Sequence, residues 1–374
     1  MLTYFLIIII LFFIYIDIIL YFKATRVTPK HITKTITHSE YKELIDQYSM
    51  HMIQNSTIKM IHSDDLSFIG QIKRIKKNIS PARYSWKYNY PLAYLYIGLV
   101  QRYANDKNKL SIIDSLFIKD FVNTYKSKYT LEIGRYSIPY AAILLFEKNN
   151  NPIYKELIID SYNFIEKNLD EEGLIHYFKT GFLSRHLYVD GLGMYIPFLV
   201  KYHKIFNCDK ALKIAQKNFN YFITYGTNSY LPHYNINDKR PLGPNNWGRG
   251  IGWYILGLIS LYETDLKYKI EARRLCKILM SLQLKPFEWA QFIGISNSFD
   301  STATLPILIL LKNTYPNYTK KNKDKIYQML ISKTTSKGSI YYASGDTQGI
   351  QRFNTLFGES EFSQGLLVYF LIDF

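Results

Sequence analysis

Cysteine is scarce in this sequence: Cys208 and Cys276 are the only two in 374 residues. They lie too far apart to suggest a disulfide framework or a metal site of the CxxC type. Alternating apolar and polar runs are also few, which argues against a parallel sheet with crossover helices. No DNA- or RNA-binding signature accompanies the positive charge, so no nucleic acid is expected as a partner. No fixed period with repeated residues links the segments, which argues against an open solenoid. The apolar N-terminal stretch lacks the basic start and the small-residue cleavage site of a removable signal.

The chain has 46 Lys+Arg against 30 Asp+Glu, a formal charge of +16. That balance favours anionic partners such as acidic polysaccharide or anionic lipid. With 48% hydrophobic and 16% aromatic residues, a sizeable core is available. Leu2 to Phe22 reads as an uncleaved transmembrane helix, residues 1–22 forming a membrane anchor. Asp17 within it reaches toward the interface or contacts a partner helix. Lys23, Arg26 and Lys30 follow the anchor. The positive-inside tendency therefore places the rest on the cytoplasmic side of an inner membrane, with periplasmic or extracellular display as the alternative. Residues 23–80 read as a basic linker holding one short helix, Glu40–Met52. The KRIKK run, Lys73–Lys77, rests on anionic headgroups or forms a solvated face.

Residues 81–374 read as one domain in which apolar residues recur at helical spacing. The segments are Tyr90–Arg102, Ile112–Tyr125, Tyr136–Phe146, Tyr154–Asn168, Gly191–Phe206 and Lys210–Tyr225. They continue with Gly250–Leu261, Lys269–Gln283, Thr302–Leu311, Lys323–Thr334 and Glu361–Leu371. Breakers such as Asn149–Pro152, Gly226–Asn228 and Pro316–Asn317 stand between them. Paired helices in this number suggest an all-α closed ring of hairpins. Two long connections, Leu169–Val189 and Asn228–Arg249, are where a site is expected on such a frame.

The stretch NNWGRGIGWYILGL, Asn245–Leu258, spaces its glycines G-x-G-x-G and follows KRPLGPNN. A dinucleotide cradle needs G-x-G-x-x-G after an apolar strand, so phosphate binding is not indicated. Glycines at a helix start permit close packing. Trp247, Trp253 and Arg249 in so small a window suit an acidic sugar, since aromatic faces stack on sugar rings and a guanidinium grips a carboxylate. In SRHLYVDGLGMYIPFL, Ser184–Leu199, Asp190 stands before an apolar helix, either as an N-cap or as a proton-transfer group. His186, Tyr188 and Tyr195 are nearby in sequence. His233, in YLPHYN, lies on the loop that feeds the Trp–Gly stretch.

Taken in order, VDGLGMYIPFL, LPHYN and NNWGRGIGWYILGL resemble the unsaturated glucuronyl and rhamnogalacturonyl hydrolases, glycoside hydrolase families 88 and 105. The resemblance runs from about Tyr88 to the C-terminus, with NYPLAYLYIGL as the first barrel helix and SFDSTATLPILILL as a late one. It implies an (α/α)6 barrel, with Asp190 as the general acid/base of a hydration at the C4=C5 bond of an unsaturated uronyl residue. By the same resemblance His233, Trp247 and Arg249 line the pocket, Arg249 as partner of the uronate or of a neighbouring polar group, with Trp253 packing beneath; His186, four residues before Asp190, is a further substrate-binding candidate. Those families carry a second Asp where this chain has YTLEIGRYSIPYAAILLFE, Tyr129–Glu147, and Glu132 is the nearest carboxylate. No metal or organic cofactor is implied. The expected partners are an acidic oligosaccharide or polysaccharide, the membrane, and polysaccharide-synthesis machinery. Two other readings remain at this stage: a glycan-binding component of polysaccharide biosynthesis without catalysis, and a membrane-surface interaction scaffold.

Overall fold

A computed structural model describes residues 2–25, 29–55, 59–61, 68, 89–123, 132–177, 184–347 and 353–374. Fourteen α-helices occur among them. In chain order they are α1 (Leu2–Thr25), α2 (His38–Asn55), α3 (Asn89–Arg102), α4 (Lys107–Phe117), α5 (Ser137–Asn149), α6 (Lys155–Lys167) and α7 (Val189–Phe206). Then follow α8 (Asp209–Gly226), α9 (Gly248–Leu261), α10 (Leu266–Ser281), α11 (Ser301–Thr314), α12 (Pro316–Lys321), α13 (Lys323–Ser332) and α14 (Glu361–Phe370).

Six helices make a closed inner ring. Helix α3 packs on α5, α5 on α7, α7 on α9, α9 on α11, α11 on α14, and α14 returns to α3. The inner helices are enclosed nearly all round; every residue of α11 from Ser301 to Leu311 is buried. The outer helices bury one stripe each. In α8 that stripe is Ala211, Ile214, Ala215, Asn218, Phe219 and Phe222, the spacing of one helical face. Local signals set the ends. Asp106, Asp265, Asp300 and Ser360 each accept a backbone N–H at a helix start. Asn150 and Asn207 end α5 and α7 in the left-handed conformation, with φ of 52° and 50°.

The ring closes through a very near approach of two backbones. A methyl group added to Gly365 on α14 would stand 2.2 Å from the Tyr94 carbonyl oxygen of α3, and one on Gly98 would stand 2.2 Å from the Gly365 carbonyl oxygen. Neither neighbour is a side chain able to turn aside. Gly365→Ala is therefore expected to cost about 3 kcal/mol, the upper end of overpacking penalties. Chemical denaturation should register this as a lower midpoint with unchanged slope.

The domain boundary expected at residue 81 needs correction. The helix assigned to a linker, Glu40–Met52, is observed as α2, and Tyr41, Ile45, Met52 and Ile53 are buried in the barrel core. It packs against α14, α3 and α4 and so takes the outer place where the ring closes. The polar face that made the segment read as linker is the solvent side of an outer helix. The KRIKK run and the side chains of Lys23 and Arg26 lie outside the described residues. Helix α1 is not part of the barrel: its 19-residue stretch Leu2–Leu20 has mean hydropathy 2.7 and none of it is buried.

The two long connections carry more order than the sequence suggested. They form a three-stranded antiparallel sheet, β1 (His186–Tyr188), β2 (Asn235–Asn237) and β3 (Arg240–Leu242), with β2 in the middle. The turn Asp238–Lys239 has φ of 46° and 64°, as a two-residue hairpin requires. A second pair, β4 (Ala343–Ser344) and β5 (Phe357–Gly358), precedes α14. Three residues are too few for alternation to be visible in sequence.

Candidate active site

At the end of the barrel where the inner helices α3, α5, α7 and α9 begin, the mouth, a cavity of about 200 Å³ opens. Its lining comes from the starts of these helices and the turns ahead of them: Tyr90 on α3, Glu132 and Arg135 before α5, Asp190 and Met194 on α7, Trp247, Arg249 and Trp253 at α9, and Asp346 and Thr347 after β4. Tyr177 and Gly134 complete the wall.

Asp190 is the second residue of α7, and Tyr188 is the N-cap. It does not cap the helix, which removes the purely structural alternative for this carboxylate. Its Oδ1 is buried and has no hydrogen-bond partner among the described residues. Asp300, at the start of α11, does cap its helix: its Oδ1 accepts the Thr302 N–H at 2.8 Å, the Thr302 hydroxyl at 2.7 Å and the Ser344 N–H at 3.2 Å, while its Oδ2 is buried without a partner among the described residues. Burial pushes the Asp190 carboxyl up to about 7; the Arg249 guanidinium holds it down in part, and the nearby Asp346 carboxylate raises it. A carboxyl so placed holds a proton near neutrality and can release it to a bound group.

The opening of α9 is held by the loop ahead of α11. The Gly248 N–H donates to the Gln291 carbonyl at 2.7 Å, and Trp247 bridges Phe292. A methyl group on Gly248 would stand 2.5 Å from the Ala303 side chain and 2.7 Å from the Ala290 carbonyl oxygen, so only glycine fits this approach. Trp247 is wedged between Tyr234 and Phe353, with ring centroids 5.4 and 5.0 Å away. Its Nε1–H faces no acceptor among the described residues. Trp253 is 1% exposed and packs on Tyr90, Tyr94 and Phe362 beneath the cavity.

Arg249 lines the cavity, but its hydrogen bonds go to the protein itself. Nη1 donates to the Ser344 carbonyl at 2.7 Å and Nη2 to the Gly345 carbonyl at 3.1 Å. Nη2 is also 3.9 Å from Asp346 Oδ1, and the guanidinium lies 5.2 Å from the Trp247 ring centre. This arginine clamps β4 to α9 and supplies positive charge from within the wall.

The structure brings Asp190, Glu132, Trp247, Arg249 and Trp253 to one cavity. It does not bring the two histidines there. His233 turns its Nδ1 to the Gly243 carbonyl, 3.0 Å away, and is not part of the cavity lining. His186 is buried in β1 and stacks on Tyr188. Both precede pocket residues in the chain, and the strand pleat and the loop path turn them elsewhere. Glu132 reaches the rim, 3.4 Å from Arg135, with its carboxyl raised by partial burial.

Sequence reading missed Arg135, Tyr90, Tyr177 and Asp346. Arg135 is in the stretch that drew attention to Glu132, three residues on, and only its position ahead of α5 identifies it. Asp346 accepts the Tyr90 hydroxyl at 2.9 Å and its N–H donates to Ile61 at 2.8 Å, linking elements more than 250 residues apart in sequence. No local signal marks it. Among the described residues, no group of three or more His, Cys, Asp or Glu could hold a metal ion.

A closed ring of helical hairpins with a buried, raised-pKa carboxyl at the mouth, walled by indoles and guanidinium groups, defines an (α/α)6-barrel carbohydrate-active hydrolase. Residues 60–285, more than half of the chain, match the family described as Glycosyl Hydrolase Family 88, and the chain belongs to that family of glycoside hydrolases. No curated protein matches the chain in sequence. Among solved structures it is similar to a possible member of glycoside hydrolase family 105 from Klebsiella pneumoniae, at TM-score 0.68 and 15% identity, covering 93% of this chain and 96% of that one. It is also similar to an unsaturated glucuronyl hydrolase specific for heparin, at TM-score 0.68 and 13% identity over 89% and 96%. A third is the unsaturated glucuronyl hydrolase, responsible for the degradation of glycosaminoglycan, from Bacillus sp. GL1, at TM-score 0.61 and 12% identity over 88% and 94%.

Proposed function

We propose that this glycoside hydrolase is membrane-anchored and removes an unsaturated uronyl residue from the non-reducing end of an acidic oligosaccharide or polysaccharide. The observation that carries the reading is Asp190: a carboxyl whose buried Oδ1 has no partner among the described residues, pushed up to about 7, in a cavity that Trp247 also lines and that is sized for a terminal residue. The protonated Asp190 donates its proton to C4 of the enol ether as positive charge develops at C5. The resulting carboxylate takes a proton from the water that adds to C5. The hemiketal formed then opens and releases the remaining sugar, with no net change in the enzyme. One carboxyl acts first as acid and then as base, whereas hydrolysis at a saturated glycoside uses two.

Arg135 is the guanidinium assigned to the uronate. It lines the cavity with its side chain 23% exposed, whereas Arg249 is committed to backbone carbonyls. Glu132 beside it and Trp247 above the ring complete the proposed contacts. The anchor is α1, whose length and apolarity match a bilayer core.

The test is incubation of the full chain with an unsaturated uronyl disaccharide and, separately, its methyl ester, following loss of the enol-ether ultraviolet band. Hydrolysis of the acid is expected. Arg135→Met should raise KM for the acid by about tenfold, the order expected for loss of a charge-assisted hydrogen bond, and leave the ester almost unaffected. Failure to consume the disaccharide, with cleavage of a saturated glycoside instead, would overturn the reading.

A further inference from the structure

The position at which α1 joins the barrel constrains which end of the barrel meets the bilayer. Helix α1 ends at Thr25, and by Pro29 the chain is already docked on the barrel. Four Cα–Cα steps span at most about 14 Å. The docking is specific. The Lys30 carbonyl accepts the Ser336 N–H at 2.6 Å, the Ile32 N–H donates to the Thr334 carbonyl at 3.2 Å, and His31 Nε2 is 3.1 Å from the Tyr342 hydroxyl. Thr334 and Ser336 follow the C-terminus of the outer helix α13, and Tyr342 directly precedes β4, whose Ser344 carbonyl accepts from Arg249. This is the mouth end. From there the strap runs away from the mouth along α13 to His38, which stacks on Tyr327.

Helix α1 also meets Phe68, whose N–H donates to Asp17 Oδ1 at 2.8 Å. The rim also carries groups suited to anionic headgroups: Lys30, Lys285, Lys337 and Arg240 are exposed, and Ile295 is 78% exposed. A groove of about 780 Å³ opens beside the strap between Pro29, Lys285, Lys333 and Tyr342.

We infer that the barrel sits mouth-down on the membrane, its rim against anionic headgroups, so that the substrate is a glycan presented at the membrane surface rather than one delivered from bulk solution. This rests on the anchored reading above. A barrel on a long tether would have no preferred orientation; a link only three residues long into a hydrogen-bonded strap narrows that freedom.

The experiment uses the full chain with Cys208→Ser, reconstituted in vesicles containing anionic lipid and headgroup-region spin-labelled lipid quencher. A fluorophore is placed in turn at Lys337→Cys beside the strap, Arg240→Cys on the β2–β3 hairpin farther round the rim, and Lys325→Cys at the opposite end of α13. Mouth-down seating predicts loss of fluorescence at the two rim positions and none at Lys325→Cys. Quenching at Lys337→Cys and Lys325→Cys but not Arg240→Cys would show a barrel lying on its side and overturn the inference. Absence of quenching at all three positions, in chain that floats with the vesicles, would place the mouth away from the bilayer and overturn it as well. Chain that fails to float would overturn the anchor itself. Hydrolysis of the free disaccharide by the same samples reads the proposed reaction separately, since it depends on neither outcome.

Discussion

Replacing Asp190 by asparagine is expected to abolish turnover and, above neutral pH, to make the folded chain more stable. The loss of activity follows from the two roles of one group. General acid–base assistance is worth about 10²–10⁴-fold, and an amide supplies neither the proton for C4 nor the base for water, so kcat/KM should fall by about 10³ or more. In the wild-type chain kcat/KM should fall as pH rises through about 7, where the folded carboxyl loses its proton.

The stability gain has the same origin. Unfolded Asp190 ionises near its ordinary value of about 3.9, whereas the folded carboxyl keeps its proton to about 7. Below about 4 both states are protonated and the group contributes nothing. Between about 4 and 7 the unfolded state is increasingly favoured by its ionisation, and above 7 the penalty is complete. A three-unit difference corresponds to about 4 kcal/mol, an upper bound because the carboxyl borders a water-accessible cavity. Asparagine carries no such penalty. Denaturation midpoints of wild type and Asp190→Asn should coincide near pH 4 and separate by pH 8, with the variant the more stable. Parallel midpoints across that range would mean that Asp190 ionises as an ordinary surface carboxyl and is not the proposed acid.

What the sequence disclosed and what it hid have physical reasons. Outer helices such as α8 show their periodicity because one face meets water, and inner helices such as α11 read as apolar runs bounded by caps. Closure into a ring with α14 against α3 is invisible locally, since it depends on Gly98 and Gly365 meeting across more than 260 residues. Helix α2 reads as linker in the sequence because its polar residues outnumber its buried ones, although the buried set, Tyr41, Ile45, Tyr48, Ser49, Met52 and Ile53, is spaced as a helical face. The candidate site was legible where its residues share a short motif, as Trp247, Arg249 and Trp253 do. Asp346 was not, because its contacts with Tyr90, Ile61 and Arg249 reach far across the sequence. The histidines misled for a related reason: nearness in sequence to Asp190 or Trp247 says nothing about which side of a strand faces the cavity.

Arg249 offers the sharpest separation between a substrate ligand and a structural clamp. It is 2% exposed, and Arg249→Met leaves the Ser344 and Gly345 carbonyls without their donor and Asp346 without its nearby cation. Breaking a buried, hydrogen-bonded charge in this way costs about 3–5 kcal/mol, so the unfolding midpoint should drop sharply. The same change removes the positive charge that holds Asp190 down, so the alkaline limb of the remaining activity should move to higher pH. Arg249→Lys keeps the charge but loses the planar fork: it should leave that limb nearly in place while recovering only part of the stability. A ligand for the substrate carboxylate behaves otherwise, raising KM for the acid with stability and pH profile unchanged, as is expected at Arg135. Side by side, the two arginines therefore report which guanidinium meets the uronate and which one holds the wall and tempers the Asp190 carboxyl.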